Sequence, residues 1–399
     1  MNILMLTLMY PQDQMEEVAR NVKDKLQNQI NNYQRAFVEG IRANLSENEQ
    51  LSILNCLPVG IFPIQYRQLF LRAGTHDNGT IRQLSCINLP WFKQKWREIA
   101  AQSAIENWAM QNPGNRSLLV YTQYLPYMKA ICKARKRFPD LKATVIVTDL
   151  PNELGLASGR KGILKKLETK IGRESLRLLR MMDGYILLTE PMADALSLRD
   201  KPFEVIEGLI LSKLDCPVNA IPSDRPVFLY SGTLEKDLGI PELLEAFERM
   251  PEYDLWLCGY GSMKDEVEAC AKRCSNVHFF GFVPQEKALA MQASATALLN
   301  PRQPTGIFTR YSFPSKTLEY MRSGKPVICC RLEGIPVDYE PYLNFMDAGS
   351  QGIINAVSKL MRLSEAERKQ MGEAAKNYVL QYKNPEMQCK KLLRLLRSL

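Results

Sequence analysis

The sequence predicts an α/β protein made of two doubly wound domains facing a cleft. Three observations lead there. Strands alternate with helices along the whole chain, 399 residues suffice for two cores, and one proline-containing, aperiodic stretch splits the alternation in two. Hydrophobic residues make up 46% and charged residues 24%, an ordinary globular balance that gives no reason to invoke disorder.

The elements follow in order. Residues 2–9 form an apolar run without a basic leader or a small-residue cleavage site, so they read as a buried first strand and not as a signal peptide. Residues 11–31 read as a long polar loop, 32–44 as a helix and 49–56 as a second strand. Residues 62–91, rich in aromatics, turns and arginines, read as irregular or lightly stranded. A helix at 92–110, a strand at 117–121, a helix at 127–138 and a strand at 143–148 come next. A basic helix at 161–180 precedes a strand at 184–188, a helix at 191–197 and a strand at 203–206. Residues 207–226, with Pro217, Pro222 and Pro226, read as the connection. The second series has strands at 227–230, 254–258, 277–280, 297–299 and 326–330. Helices at 241–249, 263–272, 285–292 and 316–323 separate them, and 350–360 and 365–379 follow. The expected domains are 1–207 and 208–384, with a final basic-apolar helix at 385–399 that can pack back on the first.

Several function classes drop out. No run of 18 apolar residues exists to span a membrane. The ten cysteines form no CxxC pair. Cys270 and Cys274 could share a helix face, but no further ligand set completes a metal site, and the chain has two histidines. A reduced cytoplasmic chain without a bound metal is expected. The net charge of +9 is partly local. Arg160, Lys161, Lys165, Lys166, Lys170, Arg173, Arg177 and Arg180 face only Glu168 and Glu174 in acid. Helical spacing places Lys166, Lys170, Arg173, Arg177 and Arg180 on one face and Leu164, Leu167, Ile171 and Leu178 on the other. That face is either simply solvated or a contact for anionic lipid or a lipid-linked acceptor, which would make the protein peripheral on the cytoplasmic side of a membrane. A nucleic-acid partner is not expected, since no recognition module or interleaved aromatic run accompanies it.

Chemistry concentrates in the second half. The strand at 254–258 runs into Gly259-Tyr260-Gly261-Ser262 and then a helix, a turn that lets main-chain N–H groups approach an anion. Ser231-Gly232-Thr233 follows the strand at 227–230 in the same way, and Phe280-Gly281-Phe282-Val283 ends another strand, where main chain can meet the edge of a base. Each also suits an ordinary tight turn, and the GxGxxG spacing of dinucleotide sites is absent. The most informative run is Tyr311-Ser312-Phe313-Pro314-Ser315-Lys316-Thr317-Leu318-Glu319-Tyr320-Met321. Pro314 and Ser315 suit a helix start, which puts Lys316 at the end of the dipole that disfavours cations unless it neutralises an anion such as a diphosphate. Glu319 lies one turn further, and a carboxylate can accept from both hydroxyls of a ribose. The plainer alternative is a solvated i,i+3 pair.

At these residues the sequence resembles retaining glycosyltransferase family 4, whose GT-B fold has two Rossmann-like domains. Gly259 and Gly261 match its G-x-G, Phe280 to Val283 its strand-end element, and Glu319-Tyr320-Met321-Arg322-Ser323-Gly324-Lys325-Pro326-Val327 its E-[AY]-[ML]-x-x-G-x-P-V run. The resemblance implies transfer of a sugar, with retention, from a nucleoside diphosphate sugar, UDP-sugar first, to a hydroxyl of a polysaccharide or lipid-linked glycan. It implies no tightly bound cofactor, and gives Glu319 the ribose. The implied donor-site residues are Gly232, Thr233, Gly259, Tyr260, Gly261, Phe282, Val283, Ser315, Lys316 and Glu319. Two departures stand out. Tyr311 occupies the place of the family's sugar-side glutamate, and Gly232-Thr233-Leu234-Glu235-Lys236-Asp237-Leu238-Gly239 lacks the arginine and lysine that meet the diphosphate. Lys316 is the candidate replacement. In the first domain Asn31, Asn32 and Gln34 are the acceptor-side candidates. Asp149, near where the family often has histidine, is the candidate proton acceptor or sugar-orienting group, unless it serves a turn. The departures also leave open a catalytically silent nucleotide-sugar-binding protein, and an epimerase on the same fold is a third possibility.

Overall fold

The computed structural model describes all residues except 24–25, 27, 91, 151–162 and 211–220. The chain divides into two compact units, Met1–Leu209 with Pro385–Leu399, and Ile210–Asn384.

The first unit runs β1 (Asn2–Thr7), α1 (Met15–Asn21), α2 (Asn28–Arg42), β2 (Gln50–Asn55), β3 (Phe70–Leu71), β4 (Gly74–His76), β5 (Ile81–Gln83), β6 (Cys86–Ile87), α3 (Phe92–Gln111), β7 (Arg116–Tyr121), α4 (Leu125–Arg137), β8 (Lys142–Val147), α5 (Ile163–Leu179), β9 (Gly184–Leu187), α6 (Pro191–Ala195) and β10 (Phe203–Val205). Eight strands form one sheet in the order β10-β9-β8-β7-β1-β2-β5-β4, parallel except for β4. Ile3, Leu4, Met5 and Leu6 are buried in succession, as a parallel strand covered on both faces requires.

The second unit runs β11 (Val227–Thr233), α7 (Ile240–Glu248), β12 (Asp254–Tyr260), α8 (Lys264–Arg273), β13 (Val277–Phe279), α9 (Gln285–Ser294), β14 (Ala297–Asn300), α10 (Ser315–Arg322), β15 (Val327–Cys330), β16 (Asn344–Met346), α11 (Gly349–Met361) and α12 (Glu365–Tyr382). Its six strands are parallel, in the order β13-β12-β11-β14-β15-β16. Alternate residues of β11 feed two cores. Phe228 and Tyr230 join one face, while Val227 and Leu229 join the other. Strand order reverses between β11 and β14, and open α/β sheets take ligands at the carboxyl ends beside such a reversal.

The last helix, α13 (Pro385–Ser398), belongs to the first unit. Cys389, Leu392, Leu393 and Leu396 share a core with Phe37 and Ile41 of α2. Gly40 permits this closeness, since a Cβ there would lie 2.2 Å from Pro385 O. Arg397 clamps Glu49 at 2.6 and 3.0 Å and holds its carboxyl down to about 2.

The structure departs from the sequence reading in places. The polar stretch after β1 contains α1, whose one buried residue is Val18, too little apolar pattern to announce a helix. Residues 62–91 keep to the irregular, lightly stranded reading and contribute the short strands β3 to β6. The three-residue β16 is too short to show a period. In the basic helix, Ile171 is 46% exposed, because the inward stripe is Gly172, Ser175, Leu178 and Leu179. The side chains of Leu164, Lys165, Lys166 and Leu167, together with all of Arg160 and Lys161, lie outside the described residues. Among the described residues, no helix is long and apolar enough to cross a membrane.

Candidate functional site

At the carboxyl ends of β11 and β12, glycine lets the two strands touch. Gly232 pairs with Gly259 across the strands. Gly259 has φ +142°, and a Cβ on it would fall 1.7 Å from Gly232 O. One on Gly261 would fall 2.1 Å from Leu234 O. Leu234 N–H donates to Tyr260 O at 2.8 Å, and Gly259 N–H donates to Gly281 O at 2.8 Å. These glycines are therefore required by chain packing. The Gly259 N–H, expected from sequence to face a diphosphate, is already used.

Helix α10 is pinned across the reversal. Tyr320 is fully buried, and its hydroxyl accepts from Ser231 N–H at 2.9 Å and donates to Ser231 O at 3.1 Å. Thr317 Oγ1 accepts from Asn300 Nδ2 at 3.1 Å, tying the first turn to the end of β14. Ser315 is exposed at the start of the helix. The Lys316 side chain lies over Gly232, where a Cβ would be 2.3 Å from its Cε and 3.1 Å from its Nζ. Lys316 forms no ion pair among the described residues, with Glu319 or any other carboxylate. Glu319 is exposed and accepts instead from the Gln292 amide at 2.8 Å.

The ends of β12 and β13 present aromatic rings. Tyr260 is 48% and Phe282 74% exposed, with centroids 6.2 Å apart. Val283 turns inward against the core, and Thr233 O accepts from Tyr230 OH at 2.7 Å. Tyr311 is half-buried after a 3-10 turn (Ile307–Arg310), a phenol where the resemblance implies a carboxylate.

In the first unit the acceptor-side candidates behave differently from expectation. Asn31 Oδ1 accepts from Tyr10 N–H at 2.9 Å, and the Gln34 amide bonds both Leu8 N–H and Leu8 O at 2.7 and 2.6 Å. Both are buried and hold the main chain beyond β1, so they do not stand open to a ligand; only Asn32 of the three is exposed. Asp149 follows β8, with Thr148 Oγ1 3.5 Å from its carboxylate. The residue is exposed on the whole, yet partial loss of water pushes its carboxyl above the usual range, against the opposing Thr148 bond. A cavity of about 480 Å³ opens at the carboxyl ends of β2 and β5, lined by Gln14, Glu17, Tyr66, Phe70, Arg72 and Gln83 among others. The Oε1 atoms of Gln14 and Gln83 are buried there without a partner. Elsewhere, Glu248 joins Cys270 and Cys274 with ligand atoms within 4.8 Å. Arg273 takes that carboxylate and burial pushes the Cys270 thiol up to about 12, so the trio reads as structural.

Residues 213–378 match the family model "Glycosyl transferases group 1". The chain carries a group 1 glycosyltransferase domain. Solved structures of similar fold include sucrose-phosphate synthase from Thermosynechococcus elongatus, at 17% identity over 100% of this chain and 99% of that one, with TM-score 0.63. An E. coli structure titled trehalose-6-phosphate and bound with UDP-2-fluoro glucose matches at 9% identity, over 100% and 99%, with TM-score 0.67. A UDP-forming α,α-trehalose-phosphate synthase from Burkholderia xenovorans, in complex with glucose-6-phosphate, matches at 10%, over 99% of each chain, with TM-score 0.61. The likeness gives the fold as GT-B, two Rossmann-like units. A search of curated proteins by sequence gives no match.

In this glycosyltransferase, sequence reasoning found α10 but missed Gln292 and the cavity. Gln292 is 1% exposed on α9, and only its tertiary contact with Glu319 gives it meaning. Gln14 and Gln83 lie far apart in sequence and meet only through folding.

Proposed function

We propose that this glycosyltransferase binds a nucleoside diphosphate sugar, UDP-sugar first, at the β11–β14 reversal and passes the sugar, with retention, to a hydroxyl of a polysaccharide or lipid-linked glycan. The observation that carries the reading is Lys316: a cation without an ion pair in the first turn of α10, lying over Gly232. A helix start disfavours a cation and leaves N–H groups without intrahelical acceptors, and a diphosphate answers both. As the leaving group departs, charge grows on that diphosphate, and Lys316 with the first N–H groups of α10 stabilises it. Glu319, oriented by Gln292, takes the ribose hydroxyls. Tyr260 and Phe282 offer exposed faces for a base or sugar ring.

The acceptor is assigned to the cavity of the first unit. Gln14, Glu17, Arg72 and Gln83 give the cavity a polar lining that suits a ligand rich in hydroxyls, and the exposed Phe70 supplies a ring face for it. Asp149, with its carboxyl pushed upward, accepts a proton or orients a hydroxyl. The exposed Lys170 and Arg177 stand on α5 with Ile171, and Met181, likewise exposed, follows the helix, which supports contact with anionic lipid on the cytoplasmic side of a membrane.

Calorimetry with nucleoside diphosphates tests the donor site. Lys316→Ala and Glu319→Ala should each weaken binding by about tenfold or more; unchanged affinity in both removes the assignment. A second reading, a nucleotide-sugar-binding protein without transfer, is favoured by one observation, the phenol of Tyr311 in place of an acid.

A further inference from the structure

Arg302 stands two residues past β14, in the loop that enters α10. Its guanidinium is half-buried and forms no ion pair among the described residues. One NH2 hydrogen goes to Ser312 Oγ at 2.8 Å, and the Phe308 ring lies 4.8 Å from its centre. Nε is buried without an acceptor. Burial pulls its pKa below the usual arginine value, and no carboxylate offsets that effect.

Arg116 and Arg135, also half-buried, have acids, Asp140 and Asp183, while the half-buried Arg368 has the carbonyl of Leu363. Arg302 has a hydroxyl and a ring. A cation withdrawn from water without a counter-charge is unfavourable unless something supplies the charge. A ring beneath and a hydroxyl at one edge fix the plane of the guanidinium while leaving donors unmet, the arrangement a phosphate accepts in two-pronged fashion.

Its place in the fold supports the same ligand. Asn300, two residues earlier, bonds Thr317 in the first turn of α10, beside Lys316. Pro301 O packs so closely on Gly239, at the start of α7, that a Cβ there would fall 1.9 Å away. The loop is thereby held between two helix starts beside the reversal of strand order.

We infer that Arg302 binds the diphosphate of the donor, acting with Lys316 as a second phosphate-binding cation. The inference rests on the donor reading above, and one experiment separates the two. Calorimetry on the intact chain first finds which of UDP, GDP and ADP wild type binds. That nucleotide and its bare nucleoside are then titrated into Arg302→Met and Arg302→Lys. The expected result is a loss of about tenfold or more for the diphosphate in Arg302→Met, a smaller loss in Arg302→Lys, and unchanged nucleoside affinity. If Arg302→Met does not fold, Arg302→Lys decides alone, since a lysine keeps the charge but loses the fork. Equal losses for nucleotide and nucleoside, or no loss for either, overturn the inference while leaving the donor site in place. A wild type that binds no nucleoside diphosphate overturns both.

Discussion

Lys316 occupies the space that a side chain on Gly232 would need, with Cε 2.3 Å from where a Cβ would sit. The glycine at the end of β11 is thus matched to a lysine 84 positions later in sequence, on α10. Gly232 also shows no left-handed φ, so an alanine fits its backbone.

The first prediction follows from that pair. In Gly232→Ala the nearest obstruction is the flexible end of a lysine, with the Tyr230 hydroxyl next at 3.0 Å, so the loss of stability should stay within about 1–2 kcal/mol. The displaced ammonium should weaken nucleoside diphosphate binding about as much as Lys316→Ala does. Thermal melting and calorimetry on the same sample check both parts. A variant that binds as wild type does would show that the position of Lys316 is immaterial.

Gln292 should act through Glu319 alone. Removing a hydrogen bond to a charged group is worth about 1.5–3 kcal/mol in general, so Gln292→Leu should weaken nucleotide binding by about tenfold or more. In Glu319→Ala the same change should do nothing further. Additive losses in this double-mutant cycle would mean that Gln292 has a separate role.

The cavity of the first unit should matter for transfer and not for the donor. Gln83→Leu removes an amide oxygen that has no partner within the protein. Nucleotide affinity and slow donor hydrolysis should stay as in wild type, while transfer to an added glycan acceptor falls by about tenfold or more. An unchanged transfer rate would move the acceptor elsewhere.

Lys93 should give the chain an alkaline signature. It is 6% exposed on α3, donates to the carbonyls of Val59 and Gly60, and is pulled by burial from 10.5 down to about 8. Between those two values the unfolded chain holds more protons than the folded one. Stability should therefore rise with pH across that window, by about 3 kcal/mol in all. Urea unfolding from about pH 7 to about pH 10 should show the rise in wild type and a flatter profile in Lys93→Met. Identical slopes would contradict the assignment.

Much of this was legible in sequence, for identifiable reasons. Strands such as β1, β7 and β8 are short apolar runs whose residues after the first are all buried, and such runs stand out against polar turns. Helix α10 was legible because Pro314 and Ser315 mark a start and Lys316 violates the dipole preference there. What sequence could not give depends on distant partners. Gly259 and Gly261 looked like anion-binding turns, yet their cause is the main chain of Gly232 and Leu234. Asn31 and Gln34 looked like open amides, yet they close on Tyr10 and Leu8. Arg302 belongs to no motif, and its lack of a counter-charge among the described residues shows only in the fold.

The central claim is that a sugar leaves a nucleoside diphosphate at α10. Release of nucleoside diphosphate from a panel of UDP-, GDP- and ADP-sugars, by wild type and by Glu319→Ala, tests it most directly. Release from at least one donor by wild type, cut by about tenfold or more in Glu319→Ala, is the predicted result. Tight donor binding without release from any donor, with and without glycan acceptors, would contradict it and leave the chain a binding protein.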